Sequence, residues 1–234
     1  MMKKFFLAAA VCVVCAAPAL ADVTCPVGQI ATKGVCAQPT PEQGLKLLLE
    51  GNKNFAKGAV THLDKFSDPA VRKEVAAGQH PYAVVLTCSD SRLPAEIIFD
   101  KGLGEIFVVR VAGNIVDRHE LGSIEYALEH LHANLIVVLG HERCGAVTAA
   151  FEANGISDGS NIGSLIESIA PAVIETKAVG GDVEECIITN INKVAEELEA
   201  RSTIIKEAVE AGHAQIVRAK YDLDSGLVKV LAAE

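Results

Sequence analysis

Tryptophan is absent from this 234-residue chain, and aromatic residues of any kind make up only 4% of it. Basic residues are in the minority, with 21 lysines and arginines against 30 aspartates and glutamates and a formal net charge of −9 at pH 7. An acidic surface repels phosphate backbones, and there is no basic stripe with interleaved aromatics, so the sequence argues against nucleic acid as a partner. Long apolar runs are missing too. The one candidate, Phe5 to Ala17, falls short of the roughly 20 residues that span a bilayer. There is no internal repeat, no low-complexity tract and no break in composition, which leaves one globular domain as the economical reading.

The apolar run at the start fits another purpose. Lys3 and Lys4 precede it, and Ala19-Leu20-Ala21 follows it in the small-x-small form of a signal peptidase site. Residues 1–21 therefore read as a signal peptide cleaved before Asp22, with a membrane anchor as the competing reading. Cleavage leaves 19 basic and 30 acidic residues, a formal charge of −11. The expected location is periplasmic or secreted, with no membrane attachment after cleavage. Cys12 and Cys15 leave with the signal peptide, whereas Cys25 and Cys36 lie in an amino-terminal extension, residues 22–40, that ends in a proline-bearing linker. In an oxidising compartment these two cysteines are expected to pair as a disulfide, free thiols being the alternative. Cys186 heads Ile187, Ile191, Val194 and Leu198, whose steps of three and four describe the buried face of a helix.

Pro41 to Gly58 reads as a helix, with Leu45, Leu48, Leu49 and Phe55 at helical spacing. Three short, nearly continuous apolar runs, 82–87, 105–111 and 135–140, predict parallel strands buried on both faces. A helix over 120–132 links the second to the third, and two or three more fill 163–211. Segments 215–222 and 227–231 alternate around Asp224-Ser225-Gly226, which predicts a hairpin. The fold class is α/β: a mostly parallel central β-sheet flanked by helices, with an antiparallel hairpin at one edge.

Two motifs carry chemistry. Cys88-Ser89-Asp90-Ser91-Arg92 and His141-Glu142-Arg143-Cys144-Gly145 each follow an apolar strand. Turns beyond the carboxyl ends of parallel strands are where α/β sheets bind ligands. Cys88, His141 and Cys144 supply three ligands for Zn²⁺, which favours sulfur and imidazole nitrogen in a tetrahedron and keeps its fourth position open in hydrolytic sites. Asp90 can take that fourth position or accept a hydrogen bond from a water held there. Arg92 can hold Asp90 through charge-assisted bonds. A closed structural zinc site or a redox cysteine pair is the competing reading; neither needs an adjacent Asp and Arg.

With Cys88 and His141 53 positions apart, the motif pair resembles that of the β-class carbonic anhydrases. The resemblance runs from about Pro41 to Glu234. It includes Gly78-Gln79-His80-Pro81, Phe107 to Arg110, Ala112-Gly113-Asn114 and Ile124 to Ala127, making residues 41–234 the expected catalytic domain. It implies one zinc per chain and reversible hydration of carbon dioxide to bicarbonate and a proton. It also implies a homodimer or tetramer in which the helix from Pro41 is an amino-terminal arm around a partner. Arg92 would keep Asp90 off the metal in an open site and release it in a closed one.

In the plant-type subgroup of that family, Gln79 matches a glutamine whose amide hydrogen-bonds the substrate oxygen. Phe107, Ala112, Tyr126 and Gly145 match positions that line the apolar pocket, and His130 matches a proposed proton relay, with His80, His119 and His132 as rivals. Another subgroup builds an allosteric bicarbonate pocket from a tryptophan three residues before the first zinc cysteine and an arginine that matches Arg110. Here Val85 stands at the tryptophan position, so that pocket is expected to be absent. The rival functions are a carbon disulfide or carbonyl sulfide hydrolase of the same fold and a non-catalytic zinc-binding protein.

Overall fold

The structure is a computed structural model that describes residues 24–32, 35–62 and 66–232. The expected signal peptide lies outside the described residues. Two short strands, β1 (Ile30–Thr32) and β2 (Val35–Ala37), pair antiparallel, and a disulfide joins Cys25 to Cys36. Helix α1 (Pro41–Ala56) starts at a capping box: Thr40 accepts from the Gln43 backbone N–H, and the Gln43 side chain accepts from the Thr40 N–H. The helix lies on its own chain. Leu48 is fully buried, and Asn52 donates to the carbonyls of Ile98 and Gly226 while accepting from the Val228 N–H.

Further along come α2 (Pro69–Val75), β3 (Ala83–Thr87), α3 (Ala95–Ile98), β4 (Ile106–Arg110), α4 (Arg118–Leu131) and β5 (Leu135–His141). They are followed by α5 (Gly145–Glu152), α6 (Asn161–Ala178), α7 (Val183–Arg201), α8 (Thr203–Glu210), β6 (Gln215–Tyr221) and β7 (Val228–Val230). The main sheet has the order β4-β3-β5-β6-β7. Its first four strands are parallel and β7 is antiparallel to β6, as the hairpin reading expected. The turn there is closed by Asp222, whose side chain accepts from the N–H groups of Asp224 and Ser225.

Every residue of β3 and β5 is buried, as their unbroken apolar runs predict. The expectation of burial on both faces fails for β4, which is buried only at Ile106 and Val109, is half-buried at Phe107 and Val108, and ends on exposed Arg110. It is an edge strand, and so has a neighbour on one side only. Three helices, α6 to α8, occupy the stretch before the hairpin. Cys186, Ile187, Ile191, Val194 and Leu198 form the buried face of α7.

Candidate metal centre

The sheet order sets the position of the site. From β3 the chain crosses to β4 on one side, and the next parallel strand, β5, lies on the other side of β3. Connections that leave neighbouring strands in opposite directions open a crevice at their carboxyl ends. Cys88 is the first residue past β3, His141 is the last of β5, and Cys144 is the N-cap of α5. The two motifs meet there because Thr87 pairs with Leu139 in parallel register.

The ligand atoms of Cys88, His141 and Cys144 lie within 4.8 Å of one another, and all three residues are buried. The His141 Nδ1 is 2.8 Å from the Glu142 carbonyl oxygen. A carbonyl only accepts, so Nδ1 carries the proton and Nε2 presents its lone pair to the two sulfurs. That Nε2 is buried and has no hydrogen-bond partner. An orphaned imidazole nitrogen beside two thiols is costly unless a metal completes it. The thiols share a proton: donation from Cys144 pulls Cys88 below the ordinary thiol range, and the same bond, helped by burial, pushes Cys144 up. A bound metal replaces that proton and takes both sulfurs as thiolates. Two sulfurs and one imidazole suit zinc, whereas magnesium and calcium require oxygen.

Beside this trio, Asp90 is held away by a fork. Arg92 Nε donates to Asp90 Oδ1 at 2.9 Å and Nη2 donates to Oδ2 at 2.7 Å, while the Arg92 backbone N–H also reaches Oδ1 at 2.9 Å. The Arg92 side chain is the main reason the Asp90 carboxyl sits well below the usual carboxylate range. Asp90 Oδ2 is 3.9 Å from His141 Nε2, so the carboxylate borders the cluster while remaining bonded to arginine.

Known proteins resemble this chain in sequence and fold. Residues 83–228 match the carbonic anhydrase family model. The chain is 43% identical over 189 residues to Carbonic anhydrase 2 of Mycobacterium tuberculosis, covering 80% of this chain and 90% of that one. The β-class carbonic anhydrase family is where this chain belongs. Among solved structures, the Coccomyxa β-carbonic anhydrase in complex with acetazolamide aligns with a TM-score of 0.63 and 26% identity, over 80% of this chain and 86% of that one. Tetrameric β-carbonic anhydrases from Sordaria macrospora align at 0.61 and 25%, over 80% and 96%. The cofactor of this β-class site is zinc.

Three supporting residues of the carbonic anhydrase site were not singled out as such by the sequence. Arg110, at the end of β4, donates from Nε to the Cys88 carbonyl at 3.2 Å and from Nη2 to the Asp90 carbonyl at 2.7 Å, fixing the loop that carries both. The Gly113 N–H points at Cys88 Sγ, 3.3 Å away. Gly113 has φ +74°, and a Cβ there would lie 2.8 Å from Ile169 Cδ1, so the turn requires glycine. Asn190, buried on α7, donates from Nδ2 to the Gly113 carbonyl at 2.9 Å. The Ala112-Gly113-Asn114 motif was a visible signal for the turn; nothing in the sequence marked Asn190.

The remaining expected site residues divide into two groups. Ala112 adjoins the Gly113 amide on Cys88, and Gly145 follows Cys144 with open space beside its Cα. Both border the metal cluster. Gln79 is exposed and precedes β3, while Cys88 follows its other end; the strand from Ala83 to Cys88 rises about 16 Å at ~3.3 Å per residue. Phe107 pairs with Val84, four residues before Cys88 and so about 13 Å from it. Tyr126, 47% exposed, shares an open concavity with Phe107, Arg118 and His119. His130 is exposed and packs against Tyr126 with ring centroids 5.1 Å apart and planes tilted by 37°.

Proposed function

We propose that this protein hydrates carbon dioxide reversibly to bicarbonate and a proton, and that its working unit is a dimer with pockets shared between subunits. The orphaned Nε2 of His141 between two thiols carries the first part of the reading. Cys88, His141 and Cys144 would hold zinc, which when bound supplies the Lewis acidity that makes water nucleophilic near neutral pH. Asp90, acceptor-only and locked by Arg92, would accept a hydrogen bond from a water held beside the three ligands and so orient it toward the substrate. Gly145, with no side chain, leaves room for a molecule as small as carbon dioxide beside Cys144.

The separation of the pocket residues supports the dimer. Gln79 precedes β3 and Phe107 pairs with Val84 near its start, whereas the metal cluster lies past the strand's other end, and Tyr126 and Gln79 are exposed. Gln79 of the partner subunit would donate its amide to a carbon dioxide oxygen and polarise the carbon, with Phe107 and Tyr126 forming the apolar wall. His130, on the surface beside Tyr126, would pass the product proton to solvent. The tetrameric relatives favour an assembly of at least two chains, in which the helix from Pro41 would also touch the partner. Residues 1–21 are proposed as a signal peptide and 41–234 as the catalytic domain, active in the periplasm or outside the cell.

Mixing variants tests the shared pocket. Gln79→Ala should lower the hydration rate about 10²-fold, as loss of one polarising donor does, and Cys144→Ser should abolish it. Random heterodimers of the two contain one intact pocket, so re-equilibrated mixtures should recover about a quarter of the wild-type rate. Recovery no greater than the sum of the separate variants would contradict the shared pocket. Mass spectrometry of the exported protein should find Asp22 as the amino terminus.

A further inference from the structure

The segment before α1 lies outside the family match, which begins at residue 83, yet it is fastened to one place on the domain. That place is the turn from Gly78 to Pro81, which carries Gln79. On one flank, Gly28 adopts φ +83° and packs so closely that a Cβ there would lie 1.9 Å from the His80 carbonyl oxygen. Its neighbour Val27 donates its N–H to Glu74 Oε1 at 2.9 Å, on the helix that leads into the turn. On the other flank, Gln38 Nε2 donates to the Pro81 carbonyl at 3.1 Å, and the adjoining Pro39 carbonyl accepts from Asn134 Nδ2 at 2.7 Å. The Cys25–Cys36 disulfide ties the two flanks together.

The turn needs such support. It has no helix or strand of its own, Gly78 has nothing within 4 Å of where a Cβ would stand, and Gln79 is exposed. The Gln79 amide has no hydrogen-bond partner among the described residues. The backbone from which it projects is held next door, at the carbonyls of residues 80 and 81, the two that the extension contacts. We propose that the disulfide-closed segment 25–39 is a positioning element for Gln79, fixing the angle at which its amide is offered to carbon dioxide. This rests on the reading of Gln79 as the substrate-oxygen donor.

Three lesions weaken the grip at different points: Cys25→Ser with Cys36→Ser, Gln38→Ala, and Gly28→Ala, which drives a methyl group into the His80 carbonyl. Each is made in the full chain, with Gln79 present and with Gln79→Ala, and zinc content, kcat, KM and amide hydrogen exchange over residues 78–82 are measured. With Gln79 present, each lesion should lower kcat/KM about tenfold by misplacing a donor, raise exchange in the turn and leave zinc at one per chain. With Gln79→Ala, the same lesions should cost less than about twofold, because the group they misplace is gone. Equal losses in both backgrounds would overturn the proposal, showing a general structural role. So would unchanged kcat/KM in the lesions while Gln79→Ala alone is crippled, an outcome that leaves the Gln79 reading standing. If Gln79→Ala alone loses nothing, the reading and the proposal fall together. Gln38→Ala removes a single hydrogen bond and keeps the disulfide, so the test survives if the double cysteine variant does not fold.

Discussion

A carboxylate two residues beyond a zinc ligand can bind the metal or serve it, and here a single arginine side chain decides which. Because Arg92 occupies both oxygens of Asp90, Arg92→Ala should release the carboxylate toward the metal. Zinc content should remain at one per chain while kcat falls about 10²-fold, the scale for losing an oriented group; metal analysis with stopped-flow assay checks both. The pair also has a pH signature. The folded pKa of Asp90 is depressed, so pairing contributes to stability above the unfolded value of about 4 and is lost as pH falls toward the lower folded value. An acid limb of the rate profile near pH 7 would therefore belong to water activation, and Asp90 should add no inflection between about pH 5 and 7. Asn190 acts one step further out, through Gly113 on Cys88 Sγ. Asn190→Leu should weaken zinc binding about 10- to 100-fold and shift the sulfur-to-metal absorption of the cobalt-substituted protein. An unshifted band would show that the Gly113 amide holds its place without Asn190.

Among the elements, those that bear the ligands were the most legible. β3 and β5 are unbroken apolar runs because both are interior strands, and each motif begins where the run ends. The same pattern misled for β4, whose apolar run belongs to an edge strand with partly exposed faces. Short elements held by distant partners escaped notice: α2 buries no residue at all, and the β1–β2 pair has three residues a side. Arg110 and Asn190 act on backbone groups 22 and 77 residues away, and no local pattern encodes such contacts. Asp100, just past α3, is another case. It is buried and accepts from the backbone N–H groups of Thr61 and His62, the Thr61 hydroxyl and the Asn54 amide. Burial opposes its charge, but the bonds from Asn54, His62 and Thr61 outweigh it and hold its pKa down at about 2. Asp100→Ala should cost about 3 kcal/mol in urea unfolding at neutral pH, the upper range for hydrogen bonds to a charged group. The wild-type contribution should persist above about pH 4 and fade as pH drops toward 2.

For the molecule as a whole, the motif pair made the family and the zinc ligands readable, and the resemblance implied a pocket shared between subunits, but the sequence did not reveal how the pocket residues lie within one chain. Gln79 and Cys88 are nine positions apart in sequence, one in the turn before β3 and the other just past its far end, a separation that appears only once β3 is formed. The fold also bears on regulation. Val85 is buried within β3, and Arg110 is committed to the carbonyls of Cys88 and Asp90, so neither offers bicarbonate a second site. Rate should depend hyperbolically on bicarbonate, and a sigmoidal curve would contradict this. Everything above turns on zinc-dependent hydration of carbon dioxide at the Cys88, His141 and Cys144 centre. Stopped-flow hydration by the mature, zinc-quantified protein, beside Cys144→Ser and from neutral to alkaline pH, tests it most directly. Turnover should follow zinc occupancy, rise with pH through about 7 and vanish in Cys144→Ser. No turnover at any pH with one zinc bound per chain would contradict it.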